Sequence, residues 1–252
     1  MCRWFIYFGD NINFEDILYK SNNAIIKQSF KKKYTPFLEE PNIRDHEVNV
    51  DGFGIGWYDN KNAVYYTSTK TPWSDFNFRR LSKILNSNLI FSHIRAIKPF
   101  THGLIHEFNC HPFCINNLLF MHNGDLKSFN LYKKEFIQKI DSNILKFIKG
   151  TTDSEFVFGL VLTYLGNKKL TILNIKKSIL KVIKFIKSLT NDVFSFNIAL
   201  TDGKFIVFTR YINNNENPPS LYYKITNNNI YISSEPIDFD DNWKFIEKNV
   251  IG

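Results

Sequence analysis

The stretch GTTDSEFVFGLVLTYLG, residues 150–166, divides the 252-residue chain. Thr152 and Glu155 form a T-x-x-E capping box, whose side chains can satisfy backbone N–H groups that a first helical turn leaves open. Gly166 can end the helix that starts there. The run from Phe156 to Leu165 is almost unbroken apolar, so this helix is expected inside the molecule. Downstream, residues 171–188 read as a second, amphipathic helix. Strand-like segments follow at 194–200, 204–211, 221–225 and 229–233, with Asp202-Gly203 as a hairpin turn. Upstream, residues 2–8 (CRWFIYF), 63–67, 89–94 (LIFSHI) and 118–121 (LLFM) also read as strands. Helical patterns fall at 14–20, with Asn13 as cap, at 75–85 and at 132–148. The polar segment 29–47, with Pro36 and Pro41, reads as a surface loop. Strands, two helices, then strands again suit sheets packed together and covered by helices within one domain.

Residues 51–59, DGFGIGWYD, carry Gly52, Gly54 and Gly56 at alternate positions, which lets a backbone pass close to something else. They are not a dinucleotide fingerprint, because G-x-G-x-x-G is absent and no helix pattern follows. Hydrophobic residues make up 44% of the chain, enough for a substantial core. No run of eighteen apolar residues predicts a membrane span. Asp10, Glu15 and Asp16 interrupt the first apolar stretch too early for a secretory signal, so a cytoplasmic location is expected. Cys2, Cys110 and Cys114 cannot all pair, which fits a reducing compartment. Cys110-His111-x-x-Cys114 lacks the second ligand pair of a zinc site, and no metal is expected. The net charge is +8, but the lysines are scattered in short groups such as Lys31-Lys32-Lys33 and Lys176-Lys177. They read as solvated surface, with no nucleic-acid partner.

Four segments carry residues suited to chemistry. Cys2 follows the initiator methionine, which is usually trimmed before a small residue. An ordinary half-buried cysteine would explain it. A mature chain starting at Cys2 would instead carry a thiol beside a free α-amine that titrates at about 7.7–8.0, so the nucleophile would bring its own base. Arg95, at the end of the strand SHIRA, can bind a carboxylate through two parallel hydrogen bonds or form a surface ion pair. Asn123-Gly124 is either a hairpin turn or a side-chain amide beside a backbone N–H, the two donors an oxyanion needs. In Thr152-Asp153-Ser154-Glu155 capping accounts for Thr152 and Glu155, and Asp153 is left to accept hydrogen bonds from an ammonium group. A carboxylate holder, an ammonium holder, a nucleophile and an oxyanion site together imply a γ-glutamyl amide substrate.

Met1-Cys2, His93-Ile94-Arg95, Asn123-Gly124 and Thr152-Asp153-Ser154-Glu155, in that order, resemble the class II (N-terminal nucleophile) glutamine amidotransferases. The resemblance is strongest to the stand-alone subgroup that contains the amidotransferase subunit of the fungal glutathione-degrading complex. Asp51-Gly52-Phe53-Gly54, Asn109-Cys110-His111-Pro112-Phe113, Phe120-Met121-His122-Asn123-Gly124 and Ser234-Glu235-Pro236 with Trp243 carry it. It runs from Cys2 to about Lys248. It implies an α+β fold, a four-layer αββα sandwich of the N-terminal nucleophile hydrolase type, with residues 2–252 as a single amidotransferase domain. It implies Cys2 as nucleophile, Asn123 and Gly124 as oxyanion donors, and Arg95 and Asp153 as holders of the substrate's α-carboxylate and α-amine. The family follows H-x-R closely with T-x-G. Here Ile97-Lys98-Pro99-Phe100 intervene, and Thr101 would fill that substrate-binding role from a longer loop.

The expected reaction is hydrolysis of a γ-glutamyl compound such as glutathione through a thioester on Cys2, releasing glutamate, with no metal or cofactor. The chain shows no second catalytic domain to consume ammonia, which favours hydrolysis over an ammonia-donating glutaminase. The resemblance also implies a metallopeptidase-like partner subunit. The alternatives are a non-catalytic interaction subunit with the same fold and a basic nucleic-acid-binding module.

Overall fold

Arg3–Asn13 forms β1, and both faces of its first half are buried. Trp4 and Ile6 point one way, toward Leu119, Met121 and Ala199; Phe5 and Tyr7 point the other, toward Phe14, Ile17 and Phe78. Successive strand residues face opposite sides, so a strand covered on both reads as continuous apolar sequence. The computed structural model describes residues 2–31, 34–36, 48–97 and 104–252.

The other strands are β2 (Phe53–Asp59), β3 (Asn62–Ser68), β4 (Asn86–Ile94), β5 (Phe113–Ile115), β6 (Leu118–Leu126), β7 (Phe194–Thr201), β8 (Ile206–Ile212), β9 (Tyr222–Thr226), β10 (Asn229–Ser233), β11 (Lys244–Phe245) and β12 (Val250–Ile251). Among the described residues they make a seven-stranded sheet, β11-β9-β10-β1-β4-β2-β3, and a five-stranded sheet, β12-β8-β7-β6-β5. Their pairings are antiparallel. The helices are α1 (Ile25–Gln28), α2 (Phe76–Leu81), α3 (Phe129–Lys139), α4 (Ser142–Leu145), α5 (Asp153–Leu165) and α6 (Ile172–Leu189).

Three apolar layers join these elements. Trp4, Ile6, Leu89 and Phe91 of the larger sheet meet Leu119, Met121 and Ala199 of the smaller one. α1, α2 and the turn around Ile17 cover the far face of the larger sheet. Phe129 and Phe136 of α3, Phe156 and Leu160 of α5 and Ile179 and Val182 of α6 cover the far face of the smaller. The result is the four-layer αββα sandwich and α+β class expected from the sequence. α5 lies inside as its apolar run requires, with ten of its residues buried. No helix among the described residues is long and apolar enough to cross a membrane.

Several local expectations change. Residues 51–59 contain a strand, β2, where the sequence alone assigns no secondary structure. A Cβ at Gly54 would overlap the His111 carbonyl oxygen, and one at Gly56 would lie 2.8 Å from Pro112 and 2.9 Å from Leu119. The glycines thus let the His111-Pro112 segment, joined by a cis peptide bond, cross the inner face of the sheet. Asn123-Gly124 is not a hairpin turn; both residues lie within β6, opposite Asn197 and Phe196 of β7. The pattern at 132–148 breaks into two helices, because buried Ile140 is extended and the Asp141 carboxylate accepts the Asn143 N–H at 2.7 Å to start α4. Asn13 Oδ1 does accept the Glu15 N–H, at 2.9 Å, but the turn that follows winds as a π-helix over Asp16–Lys20. Thr152 caps α5 at 3.4 Å, whereas the Glu155 carboxylate accepts the N–H groups of Lys149 and Gly150, at 2.8 and 2.6 Å. Most of the 29–47 loop lies outside the described residues.

Candidate active site

Cys2 precedes β1 and sits beside the end of β4, because β1 and β4 pair with Arg3 opposite Ile94. The Ala96 N–H points at Cys2 Sγ from 3.3 Å, and the Ala96 carbonyl is 3.6 Å from the same sulfur. The N–H suits a thiolate and the carbonyl suits an S–H, so one backbone unit serves both states. Cys2 is half-buried. Its carbonyl oxygen accepts Asn123 Nδ2–H at 3.0 Å, which brings β6 of the smaller sheet to β1 of the larger. Arg3 Nη1 donates to the same oxygen, also at 3.0 Å.

Gly124 follows Asn123 at a point where a side chain has no room. A Cβ there would overlap the Ser195 carbonyl oxygen and His122 Nε2. Arg95 is buried, next to Ala96. Its Nη1 donates to the Leu104 carbonyl at 3.0 Å, an oxygen that also accepts Asn109 Nδ2–H at 3.0 Å. Asn109 Oδ1 accepts the Thr151 N–H at 2.8 Å, so one side chain braces both the segment behind Arg95 and the approach to α5. Asp153 opens α5, with Oδ2 accepting the Leu126 N–H of β6 at 3.1 Å and Oδ1 the Ser154 N–H at 2.8 Å. Cys2, Arg95, Asn123, Gly124 and Asp153, which the sequence separates, are therefore borne by four neighbouring elements, at the ends of β1 and β4, on β6 and at the start of α5. Thr101 lies outside the described residues.

The imidazoles nearby are occupied or buried. His93 Nε2–H donates to the His122 carbonyl at 3.2 Å, and burial pushes its pKa down to about 3, helped by the neighbouring His122 and Arg95. His111 packs against it with ring centroids 4.2 Å apart and planes tilted by 38°, and is likewise held well below its ordinary range, chiefly by burial. His122 Nε2–H donates to the Ser195 carbonyl at 3.1 Å, which leaves Nδ1 to accept from the Ser154 hydroxyl at 2.8 Å. Cys110, buried beside Gly52, has its thiol pushed up to about 11 by burial, so it is inert relative to an exposed thiol. Among the described residues no three His, Cys, Asp or Glu side chains gather as a metal site.

Sequence reasoning assigned no role to Asp51, Asn109, Arg3 or Glu235. Asp51 Oδ2 accepts the Ile97 N–H at 2.7 Å and holds the chain leaving β4. Arg3 Nε donates to Glu235 Oε1 at 2.6 Å, far along the chain. The signal lay in the D-G-F-G, N-C-H-P-F and S-E-P segments, but nothing local says what each side chain touches.

The profile of the family described as glutamine amidotransferases class-II matches residues 21–223. The chain belongs to this family. The probable glutamine amidotransferase DUG3 of Saccharomyces cerevisiae is 33% identical over 169 residues, covering 64% of this chain and 45% of the yeast protein. The matched region thus spans about half of that relative. A glutamine aminotransferase class-II domain protein from Silicibacter pomeroyi superposes with a TM-score of 0.67 at 25% identity, covering 98% of this amidotransferase and 91% of that chain. The glutamine phosphoribosylpyrophosphate amidotransferase of B. subtilis shares the fold with a TM-score of 0.60 at 15% identity, covering 97% and 44%. The αββα sandwich of this amidotransferase is accordingly the N-terminal nucleophile hydrolase fold.

Proposed function

We propose that this amidotransferase hydrolyses a γ-glutamyl amide bond, of glutathione or a related compound, through a γ-glutamyl thioester on Cys2. The observation that carries the reading is the seat of Cys2, with the Ala96 N–H on its sulfur and Asn123 on its carbonyl. The neighbouring histidines support the choice of base. An imidazole pushed down to about 3 cannot take a thiol proton near neutrality, and His122 has both nitrogens engaged. Once the initiator is removed, the α-amine of Cys2 is the base at hand.

The amine takes the thiol proton and the thiolate attacks the γ-carbonyl carbon. The oxyanion receives the second N–H of the Asn123 amide, whose first holds Cys2, and the Gly124 N–H. The α-ammonium returns the proton to the leaving nitrogen as the C–N bond breaks. Water, deprotonated by the same amine, attacks the thioester, glutamate departs and the thiol is restored. Arg95 and Asp153 hold the α-carboxylate and α-ammonium of the glutamyl group, with Thr101 assigned to the same pocket. The free cysteines support a cytoplasmic setting. A metallopeptidase-like subunit that consumes the released dipeptide is the partner this reading implies.

Glutamate release by the Met-trimmed protein, with glutathione and glutamine in parallel, tests the assignment. Release from glutathione over glutamine is expected, with Cys2→Ala silent. The reverse preference would make the protein a glutaminase, and activity retained by Cys2→Ala would remove the nucleophile assignment.

A further inference from the structure

The carbonyl of Cys2 is held from two sides, and one of them leads to the far end of the chain. Arg3 Nη1 donates to the Cys2 carbonyl at 3.0 Å while its Nε donates to Glu235 Oε1 at 2.6 Å. The two side chains are 7% and 1% exposed, so the pair is shielded from solvent. Glu235 is fixed in turn. The Tyr34 N–H donates to its Oε2 at 2.8 Å. The residue before it, Ser234, continues the pairing of β10 with β1: its N–H donates to the Trp4 carbonyl at 2.9 Å and its Oγ accepts the Trp4 N–H at 3.0 Å.

A planar guanidinium can bridge two acceptors with fixed geometry, which an ammonium cannot. Burial of both charges costs desolvation that a surface residue would avoid, and a hydrophobic pair would pack as well. We propose that Arg3 and Glu235 are positioning residues for the nucleophile. Glu235 aims the guanidinium, the guanidinium and Asn123 fix the Cys2 carbonyl, and the α-amine and thiol of the same residue are thereby held in attacking orientation. This rests on Cys2 acting as the N-terminal nucleophile. The pair also sets the charge at the amine, because Glu235 neutralises the cation that touches Cys2. Among the described residues, the other titratable groups on the elements that meet at Cys2 include Asp51, His93 and Arg95 near the end of β4, Cys110, His122 on β6 and Asp153 on α5, and they are common to every variant compared.

The test uses the Met-trimmed protein with Glu235→Gln, Glu235→Asp, Arg3→Lys and Arg3→Gln, each checked for folding by thermal melt. In Glu235→Gln the loss of one negative charge beside the guanidinium favours the neutral amine, so the acid limb of the kcat/KM profile should move down by about one pH unit. In Arg3→Gln the buried carboxylate favours the ammonium, so the limb should move up. Glu235→Asp and Arg3→Lys, which keep the charges but not the bridging geometry, should leave the limb in place. They should lower kcat by about tenfold to a hundredfold with little change in KM. The α-amine is titrated separately, by mass-spectrometric read-out of its acylation against pH. That measurement needs no substrate, so silence of the wild type toward every γ-glutamyl compound would count against the hydrolase reading alone. Unmoved amine titrations in the two charge-removing variants, or kcat unchanged in the two charge-keeping ones, would overturn the positioning role. If the charge-removing variants fail to fold, the charge-keeping pair decides.

Discussion

A methyl group at Gly124 would overlap both the Ser195 carbonyl oxygen and His122 Nε2. β6 and β7 would have to part where Asn123 faces Asn197. Gly124→Ala is therefore expected to lower kcat/KM for the γ-glutamyl substrate by at least about a hundredfold, the scale of losing one oxyanion donor. Its melting temperature should also fall. A variant with normal kinetics would show that the strand accommodates the methyl group without moving the Gly124 N–H, against this expectation. Residues of this kind were legible in the sequence because each brings a chemistry its neighbours lack: a thiol at position 2, an amide beside a glycine, an aspartate left over from a capping motif. What they touch was not legible. The S-E-P segment stood out, yet its glutamate meets Arg3 across 232 residues, and pairing at that range is a property of the fold.

At the scale of elements, β4 and the segment before β5 bury two neutral imidazoles, His93 and His111, packed against each other. Unfolding returns them to water, where a histidine binds a proton below about 6.5. The folded His93 does so only near 3, so the unfolded state binds more protons throughout that window. Stability is then present in full above about 6.5 and is lost as pH falls toward 3. His93 alone should contribute about 2 kcal/mol less at pH 5 than at pH 7, with His111 adding to the loss. Urea melts at pH 7, 6 and 5 measure this, and equal stability at the three values would contradict it. Long elements were easy to find in the sequence: β1, β7 and α5 carry apolar runs, and α6 an apolar stripe at helical spacing. β5, β11 and β12 have three, two and two residues, too few to show a period. β2 was masked by its glycines, whose alternate spacing marked a close backbone approach without revealing that the segment was itself a strand.

At the scale of the whole molecule, the proposed function links processing to activity, because it requires the α-amine of Cys2 to be free. Protein that keeps Met1, or carries a tag ahead of it, is expected to fold with an unchanged melting temperature and to release no glutamate; intact mass and turnover on the same sample check this. Equal turnover would show that the free α-amine is dispensable. The overall architecture could be anticipated from the order of strands and helices, but the meeting of the two sheets at Cys2 could not, since it depends on β1 being flanked by β4 and β10.

That flanking has a temporal consequence. During synthesis β10 and Glu235 are made more than two hundred residues after Cys2. Until β10 and Glu235 are in place the Arg3 bridge to the Cys2 carbonyl is incomplete, and contacts of such long sequence separation form late in folding. The seat of the proposed nucleophile is thus complete only once β10 and the glutamate that follows it have arrived.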